Sequence, residues 1–187
     1  SRSRKKLETI VRSYLAGEEP PEEPDNIALG KPAYASSNES GKGPDKGNDG
    51  DTATRWCAIN GNTGHWWMVD LQDIYSLTGS EIIWEKAAVY GYTIEVSTDG
   101  INWATVIDKT NNTSGSQKQT DNFNVDEARY IRLTVTRLPA SNVWASFSEF
   151  RLFGELKQDL PELPDEPQII LNYEVNASFD GTSDYID

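Results

Sequence analysis

Alternation of apolar and polar side chains over many short segments is the feature that most constrains the fold of this chain. Residues 92–97 alternate Tyr, Ile and Val with Thr, Glu and Ser, and residues 131–136 repeat the period. Successive side chains of a strand point to opposite faces of a sheet, so each segment predicts a half-buried β-strand. The other strand candidates are 32–36, 65–70, 81–84, 103–108, 118–123 and 146–153. With no helical pattern between them, the sequence predicts an all-β fold, an antiparallel β-sandwich or jelly roll of about eight strands.

The two ends of the chain depart from this pattern. Apolar residues recur at helical spacing among basic residues over 1–17, which predicts a short N-terminal helix, the tail of a preceding domain. Residues 18–25 and 156–167 are rich in proline and acidic side chains, which is typical of stiff, extended linkers. The linkers bracket a predicted module at 26–155. Residues 168–187 are interpreted as the start of a further domain or an unstructured tail.

Composition excludes several classes of function. The formal net charge of −13 argues against nucleic acid as a partner, because phosphate binding depends on Lys and Arg. No apolar run reaches the roughly 20 residues that span a bilayer, so no transmembrane segment is predicted. Cys57 is the single cysteine and His65 the single histidine. A single cysteine cannot form a disulfide within the chain, and a single histidine excludes zinc-type His spacing. The sequence also contains no serine nucleophile elbow, so no catalytic residue is predicted.

An oxygen-rich loop runs from 46 to 56 with the sequence KGNDGDTATRW. Hard cations such as Ca²⁺ take six to eight oxygen ligands from carboxylates, hydroxyls and backbone carbonyls, and Asp49, Asp51 and Thr54 can supply several. The spacing does not match an EF-hand loop. The alternative is a plain polar turn, since Asn, Asp and Gly favour turns for backbone reasons.

Further stretches follow this loop in a fixed order. They are GHWWMVDL at 64–71, WEK at 84–86, YGY at 90–92, YTIEVSTDGINW at 92–103, ARYIRL at 128–133 and ASFSEFRLFG at 145–154. Together with the loop they resemble the discoidin, or coagulation factor 5/8 type C, domain. The version present here is most similar to the family 32 carbohydrate-binding modules of bacterial glycan-degrading enzymes. The resemblance covers about residues 26–155 and implies a galactose-binding-domain-like jelly roll.

The resemblance implies one structural calcium ion that ties the early loop to the last strand. By position, backbone carbonyls would come from four residues and side-chain oxygens from three. The implied ligands are the carbonyls of Lys46, Asp51, Thr54 and Ser148, the Thr54 hydroxyl, and the carboxylates of Asp49 and Glu149. Such an ion would close a loop of nearly a hundred residues, which otherwise costs entropy.

A sugar site needs an aromatic face for the pyranose ring and polar groups for its hydroxyls. In the resembled modules an aromatic side chain from the loop before the last strand commonly stacks on the sugar, which indicates Trp144. Two other loops carry polar candidates for the same rim of the sandwich. The predicted ligand-binding residues are Trp144, Glu85, Tyr90, Lys86, Asn60 and His65.

The resulting hypothesis is a non-catalytic, calcium-stabilised carbohydrate-binding module that targets an attached glycoside hydrolase to glycans. The expected ligand is galactose or an N-acetylhexosamine, and the expected location is secreted, cell-surface or periplasmic in a bacterium. Two alternatives stay open: an adhesion domain that binds lipid or protein, and an interdomain spacer without ligand. The loop at 38–44 is polar and rich in glycine, which counts against membrane insertion.

Overall fold

Two long, bent strands organise the protein. The computed structural model describes residues 25–140 and 142–157, and these carry seven strands and one short 3₁₀ helix at Pro44–Gly47. The strands, all paired antiparallel, are β1 (Ala33–Ala35), β2 (Trp56–Cys57), β3 (Trp66–Trp84), β4 (Gly91–Ser97), β5 (Ala104–Asp108), β6 (Lys118–Arg137) and β7 (Ser146–Leu156). The predicted all-β antiparallel fold is confirmed. The predicted helix at 1–17 and tail at 168–187 lie outside the described residues.

Strands β3 and β6 each serve both layers of the sandwich. The first half of β3 pairs with β1 and with the second half of β6, while its second half pairs with β7 and with the first half of β6. The register shifts between Asp70 and Tyr75, where Gln72 has a φ of 69°. Bulges bend a strand and increase its twist, so the ladder can fold over itself here.

This bend changes the strand count expected from the sequence. The segments 65–70 and 81–84 were expected as separate strands but belong to β3, and 118–123 and 131–136 both belong to β6. The alternation of apolar and polar side chains is lost at the bulges, although the hydrogen bonding between strands continues. The sequence pattern therefore divides β3 and β6 into two predicted strands each. The two-residue strand β2 is too short to show any period.

Aromatic side chains join the two layers. Trp67 on β3 contacts Phe150 and Phe147 on β7, with ring centroids 5.3 and 5.4 Å apart. Trp84, at the end of β3, packs on Tyr92 of β4 at 5.5 Å. All five rings are fully buried. Each such ring buries about 150–250 Å² on folding, so this cluster supplies much of the hydrophobic stabilisation.

One end of the sandwich gathers the ends of most strands. Trp84 at the end of β3 lies opposite Phe147 near the start of β7, and Gly91 at the start of β4 lies opposite Arg137 at the end of β6. We call the segments 55–60, 84–91, 108–118 and 143–146 at this end the rim. Among the described residues no helix is long and apolar enough to cross a bilayer.

Candidate functional site

Backbone hydrogen bonds bring the predicted sugar-site loops together on the rim. The Ala58 N–H donates to the Ala145 carbonyl at 2.9 Å, and the Glu85 N–H donates to the Ser146 carbonyl at 3.2 Å. The segment that carries Trp144 therefore lies between the other two loops. Trp144 is half-buried and Glu85 is partly exposed, so both present surface to solvent. Their role in binding stays a prediction.

Arg55 is a rim residue that sequence reasoning missed. Its Nη2 lies 3.4 Å from Oε1 of Glu85, while its buried Nε has no partner among the residues described. An ion pair of this kind orients the carboxylate, and a buried donor without a partner is costly. The Arg55 guanidinium therefore pairs with Glu85 through Nη2, while its Nε–H has no hydrogen-bond acceptor among the described residues. The sequence offered one clue to Arg55, which is its position directly before the buried Trp56. We had interpreted the surrounding loop only as a source of oxygen ligands for a cation.

A second carboxylate that sequence reasoning missed belongs to Glu39, whose segment is hydrogen-bonded to the strand that follows Arg55. The Glu39 N–H donates to the Cys57 carbonyl at 2.9 Å, and the Cys57 N–H donates to the Lys42 carbonyl at 3.3 Å. The Lys42 ammonium bonds the Glu39 carboxylate and holds its pKa below the usual range, and Arg55 contributes to that lowering. Two ion pairs, Glu39 with Lys42 and Glu85 with Arg55, thus form here, and the charge of Arg55 also acts on Glu39.

Tyr90 is not a surface residue, which corrects the expectation that it contacts a ligand. Its side chain is fully buried and stacks on Trp84, with ring centroids 4.2 Å apart and planes inclined by 8°. Burial raises the pKa of Tyr90 to about 12, and the charge of Glu85 adds to the rise. Within the described part of the chain neither its hydroxyl nor the Trp84 indole N–H has a partner. Tyr90 supports the rim from beneath.

His65 and Asn60 contact each other. His65 Nε2 lies 2.9 Å from Oδ1 of Asn60, and His65 Nδ1 lies 3.0 Å from the Ser37 hydroxyl. With the amide oxygen accepting, the ring donates from Nε2 and accepts at Nδ1. Both ring nitrogens are therefore occupied, and His65 fixes Asn60 in place. Lys86 is exposed beside Glu85.

The predicted cation loop meets the last strand. The Gly50 N–H donates to Oε1 of Glu149 at 2.6 Å, across 99 positions of sequence. Thr54 donates its hydroxyl to Oδ2 of Asp49 at 2.7 Å. Strand β7 bulges at Ser148, because Ile83 faces Glu149 while the next residue, Trp84, faces Phe147. A bulge re-aims side chains, and here Glu149 reaches the loop.

Glu149 has the environment of an incomplete ion site. It is fully buried, and its Oε2 has no partner in the described residues. Burial raises the pKa of Glu149; the Gly50 N–H opposes the rise, and the Asp49 and Asp51 carboxylates add to it. A buried carboxylate beside like charges is unfavourable unless a cation compensates it. The donor set therefore fits a hard cation.

The side chains alone do not form a metal cluster. Among the described residues no three His, Cys, Asp or Glu side chains converge as one. Asp49 and Glu149 would need backbone carbonyls and the Thr54 hydroxyl, which is the mixed oxygen set that Ca²⁺ accepts. Lys46 Nζ lies 3.5 Å from Oδ2 of Asp49 and now offsets part of the charge.

Two packed antiparallel layers with polar and aromatic groups on loops at one end define a β-sandwich binding module. The chain belongs to the F5/8 type C family: the family model described as F5/8 type C domain matches residues 32–150. Comparison with curated protein sequences finds no match.

Comparison with solved structures narrows the class of module that the chain resembles. Chitosan-binding module 1 of a chitosanase/glucanase from Paenibacillus sp. IK-5 is 32% identical over 70% of this chain and 99% of that module, with a TM-score of 0.63. Module 2 of that enzyme, in complex with chitotriose, is 30% identical over 69% of this chain and 100% of that module, with a TM-score of 0.63. CpGH89CBM32-4 of Clostridium perfringens is 26% identical over 69% of this chain and 98% of that module, with a TM-score of 0.62.

The similar structures are carbohydrate-binding modules of bacterial glycan-degrading enzymes. The predicted resemblance to family 32 modules is confirmed. These similar structures are non-catalytic modules, which is consistent with the predicted accessory module rather than a catalytic domain.

Proposed function

We propose that this module binds a glycan on the rim, with Trp144 stacking on a sugar ring and Glu85 accepting hydrogen bonds. The observation that carries the proposal is the Arg55–Glu85 ion pair, which orients a carboxylate on the segment that is hydrogen-bonded to the Trp144 loop. Rigid positioning of a few polar groups beside an aromatic face is what sugar recognition requires. Lys86 and Asn60 extend the polar edge.

We further propose that the ligand is an oligosaccharide of glucosamine. Two relatives at 30–32% identity are chitosan-binding modules, which supports this class over the galactose or N-acetylhexosamine expected from sequence. The carboxylates of Glu39 and Glu85 are both partly exposed, so a protonated amine of the sugar could bond either one. The net charge of −13 adds long-range attraction for a cationic polymer.

Calcium is proposed as a structural ion. Asp49 and Glu149 would hold it with their carboxylates, and Lys46, Asp51, Thr54 and Ser148 with carbonyl or hydroxyl oxygens. Bound there, the ion would neutralise the buried Glu149 and fix the 46–56 loop against β7. This role concerns stability rather than recognition.

The biological role that fits these properties is targeting. A shallow site with few contacts binds weakly, because association itself costs several kcal/mol. Weak binding becomes useful when the module is linked to a glycoside hydrolase, since tethering raises the local concentration of substrate. We propose that the module has this targeting role. We also propose that it acts outside the cytoplasm, where it would encounter polysaccharide.

Isothermal titration of the full 187-residue chain tests the proposal. We expect the glucosamine trisaccharide to bind, and to bind more tightly than the N-acetylated trisaccharide or galactose. Glu85→Gln should weaken binding about tenfold. Glu95→Gln is the matched control, because Glu95 also pairs with an arginine, Arg132, at 2.9 Å but lies within β4. No heat and no saturation with any of the three sugars would refute glycan binding on the rim.

A further inference from the structure

A hollow of about 390 Å³ lies on the rim and shares no residue with the Trp144–Glu85 site. It is lined by Asp108, Lys109, Asn111, Asn112 and Thr113, from the end of β5 and the loop that follows. Its volume falls within the range of small-ligand sites. Nothing in the function proposed above uses these residues.

The floor of the hollow is held by buried polar contacts. Asn112 donates from Nδ2 to the Tyr90 carbonyl at 2.9 Å and to Oε1 of Gln119 at 3.1 Å. The Lys109 ammonium bonds the carboxylate of Asp121, which is 3% exposed and also accepts the Tyr92 hydroxyl at 2.7 Å. Satisfied polar networks of this kind rigidify a surface. The loop is therefore preorganised.

The loop that lines the hollow continues to a residue that contacts the segment carrying Glu85. Gln117 donates from Nε2 to the Glu85 carbonyl at 3.3 Å, so the loop behind the hollow contacts the segment that carries Glu85. The Arg137 guanidinium bonds the Asn112 carbonyl and ties the loop to the end of β6.

Two of the side chains that line the hollow are free to bind. Asn111 and Thr113 are exposed, and neither side chain has a hydrogen-bond partner in the part of the chain that the structure covers. Asp108 accepts the Thr110 N–H at Oδ1, 3.0 Å away, and its carboxylate also interacts with the Thr110 side chain. An amide, a hydroxyl and a carboxylate complement the hydroxyl and amine groups of a sugar. Within the described residues no aromatic side chain lines the hollow, so it suits an added unit rather than the main anchor.

We propose that this hollow is a second saccharide subsite, which takes a further sugar unit of an oligosaccharide anchored at Trp144 and Glu85. The proposal rests on the glycan-binding function argued above. The additional unit adds affinity because the first unit has already met the cost of association. Affinity should then rise with chain length until the glycan reaches the hollow.

Titrations with glucosamine oligosaccharides of defined length, from trimer to hexamer, test this subsite in the full chain. We expect the hexamer to bind the parent protein about tenfold more tightly than the trimer. The double variant Asn111→Ala, Thr113→Ala should bind the trimer like the parent and lose most of that gain. Any gain that comes only from a hexamer offering several binding registers is equal in both proteins and cancels.

A matched control is Thr78→Ala with Asn124→Ala, two exposed side chains near the bulged middle of β3 and β6. This variant should keep the full dependence on length. The subsite is refuted if the trimer binds but the parent gains nothing from longer chains, or if the Asn111, Thr113 variant keeps the gain. Failure of the trimer itself to bind refutes the proposed function and, with it, the subsite.

Discussion

The backbone N–H of Gly50 lies 2.6 Å from Oε1 of Glu149, so the early loop and the last strand meet at a buried carboxylate. The other oxygen of Glu149 lacks a partner in the residues described. The contact explains why a cation is expected to matter for stability. A carboxylate buried beside other acids is the kind of group that an ion would stabilise.

We therefore expect calcium to raise the melting temperature of the parent protein and chelation to lower it. An ion that binds only the folded state stabilises it by mass action, and at about a hundredfold excess over its dissociation constant the shift should be about 5 °C or more. Differential scanning calorimetry with and without a chelator measures it. Glu149→Gln should lose the response, whereas Glu155→Gln, an exposed site on the same strand, should retain it. Equal melting temperatures in calcium and chelator would contradict the calcium proposal.

Trp144→Ala should reduce affinity for the glucosamine trisaccharide at least about tenfold and leave the melting temperature within a few degrees. A half-buried loop indole contributes more to a ligand than to the core. Trp103→Ala is the control, because Trp103 stacks under the Arg132 guanidinium, 4.1 Å from its ring centroid. That variant should lose stability and keep its affinity. If both variants bind equally well, Trp144 is no platform.

Tyr90→Phe should leave glycan affinity unchanged and keep or slightly raise stability, because it removes a buried hydroxyl that has no described partner. Tyr92→Phe is the contrasting variant, since the Tyr92 hydroxyl donates to Asp121 at 2.7 Å. It should cost about 1–2 kcal/mol in the free energy of unfolding. Urea denaturation measures both changes. A large loss of affinity in Tyr90→Phe would return Tyr90 to the binding surface.

The Asp70–Arg129 pair gives a prediction about pH. Arg129 donates from Nε and Nη2 to the two oxygens of Asp70, at 2.8 and 3.0 Å, and holds the pKa of Asp70 below its ordinary value of 3.8. A lowered pKa means that the unfolded chain binds the proton first, so stability from this pair is present above pH 3.8 and is lost as pH falls below it. Since Arg129 is partly exposed, Asp70→Asn should cost only about 1 kcal/mol at pH 7.

The difference between the parent and Asp70→Asn should therefore shrink as pH falls below 3.8. Denaturation at a series of pH values measures it. A difference that stays constant to pH 2 would show that the asparagine acts through something other than the charge of Asp70.

The sequence predicts the strands well where one face of the strand is buried and the other is exposed to solvent. In β4, Ile94 and Val96 are buried while Thr93 and Glu95 are partly exposed, as the alternation requires. Strands β3 and β6 were divided because bulges reset the side-chain period without breaking the ladder. Tyr90 offered a usable signal, since it lies two positions before buried Tyr92 and shares its inward direction.

The rim is less predictable from sequence than the layers. Trp144 and Glu85 were identifiable as loop residues of a resembled family. Arg55 and Glu39 were not, because Arg55 pairs with a residue 30 positions away and Glu39 meets Cys57 only in the folded chain. No local period or turn preference records such a pairing. The oxygen-rich loop was evident at once, since its composition is unusual in itself.

The central claim, that the rim is the glycan site, is tested most directly by mapping the binding surface. Titration of the isotope-labelled protein with glucosamine trisaccharide would be followed by amide and indole chemical shifts in NMR, with six tryptophan indoles as reporters. We predict the largest shifts at the Trp144 indole N–H and at the backbone amides of Ile59, Glu85 and Lys86, with little change at Trp103. Shifts concentrated at the far end of the β3–β7 ladder, around Tyr75 and Leu156, or no shifts at saturating sugar, would contradict the account.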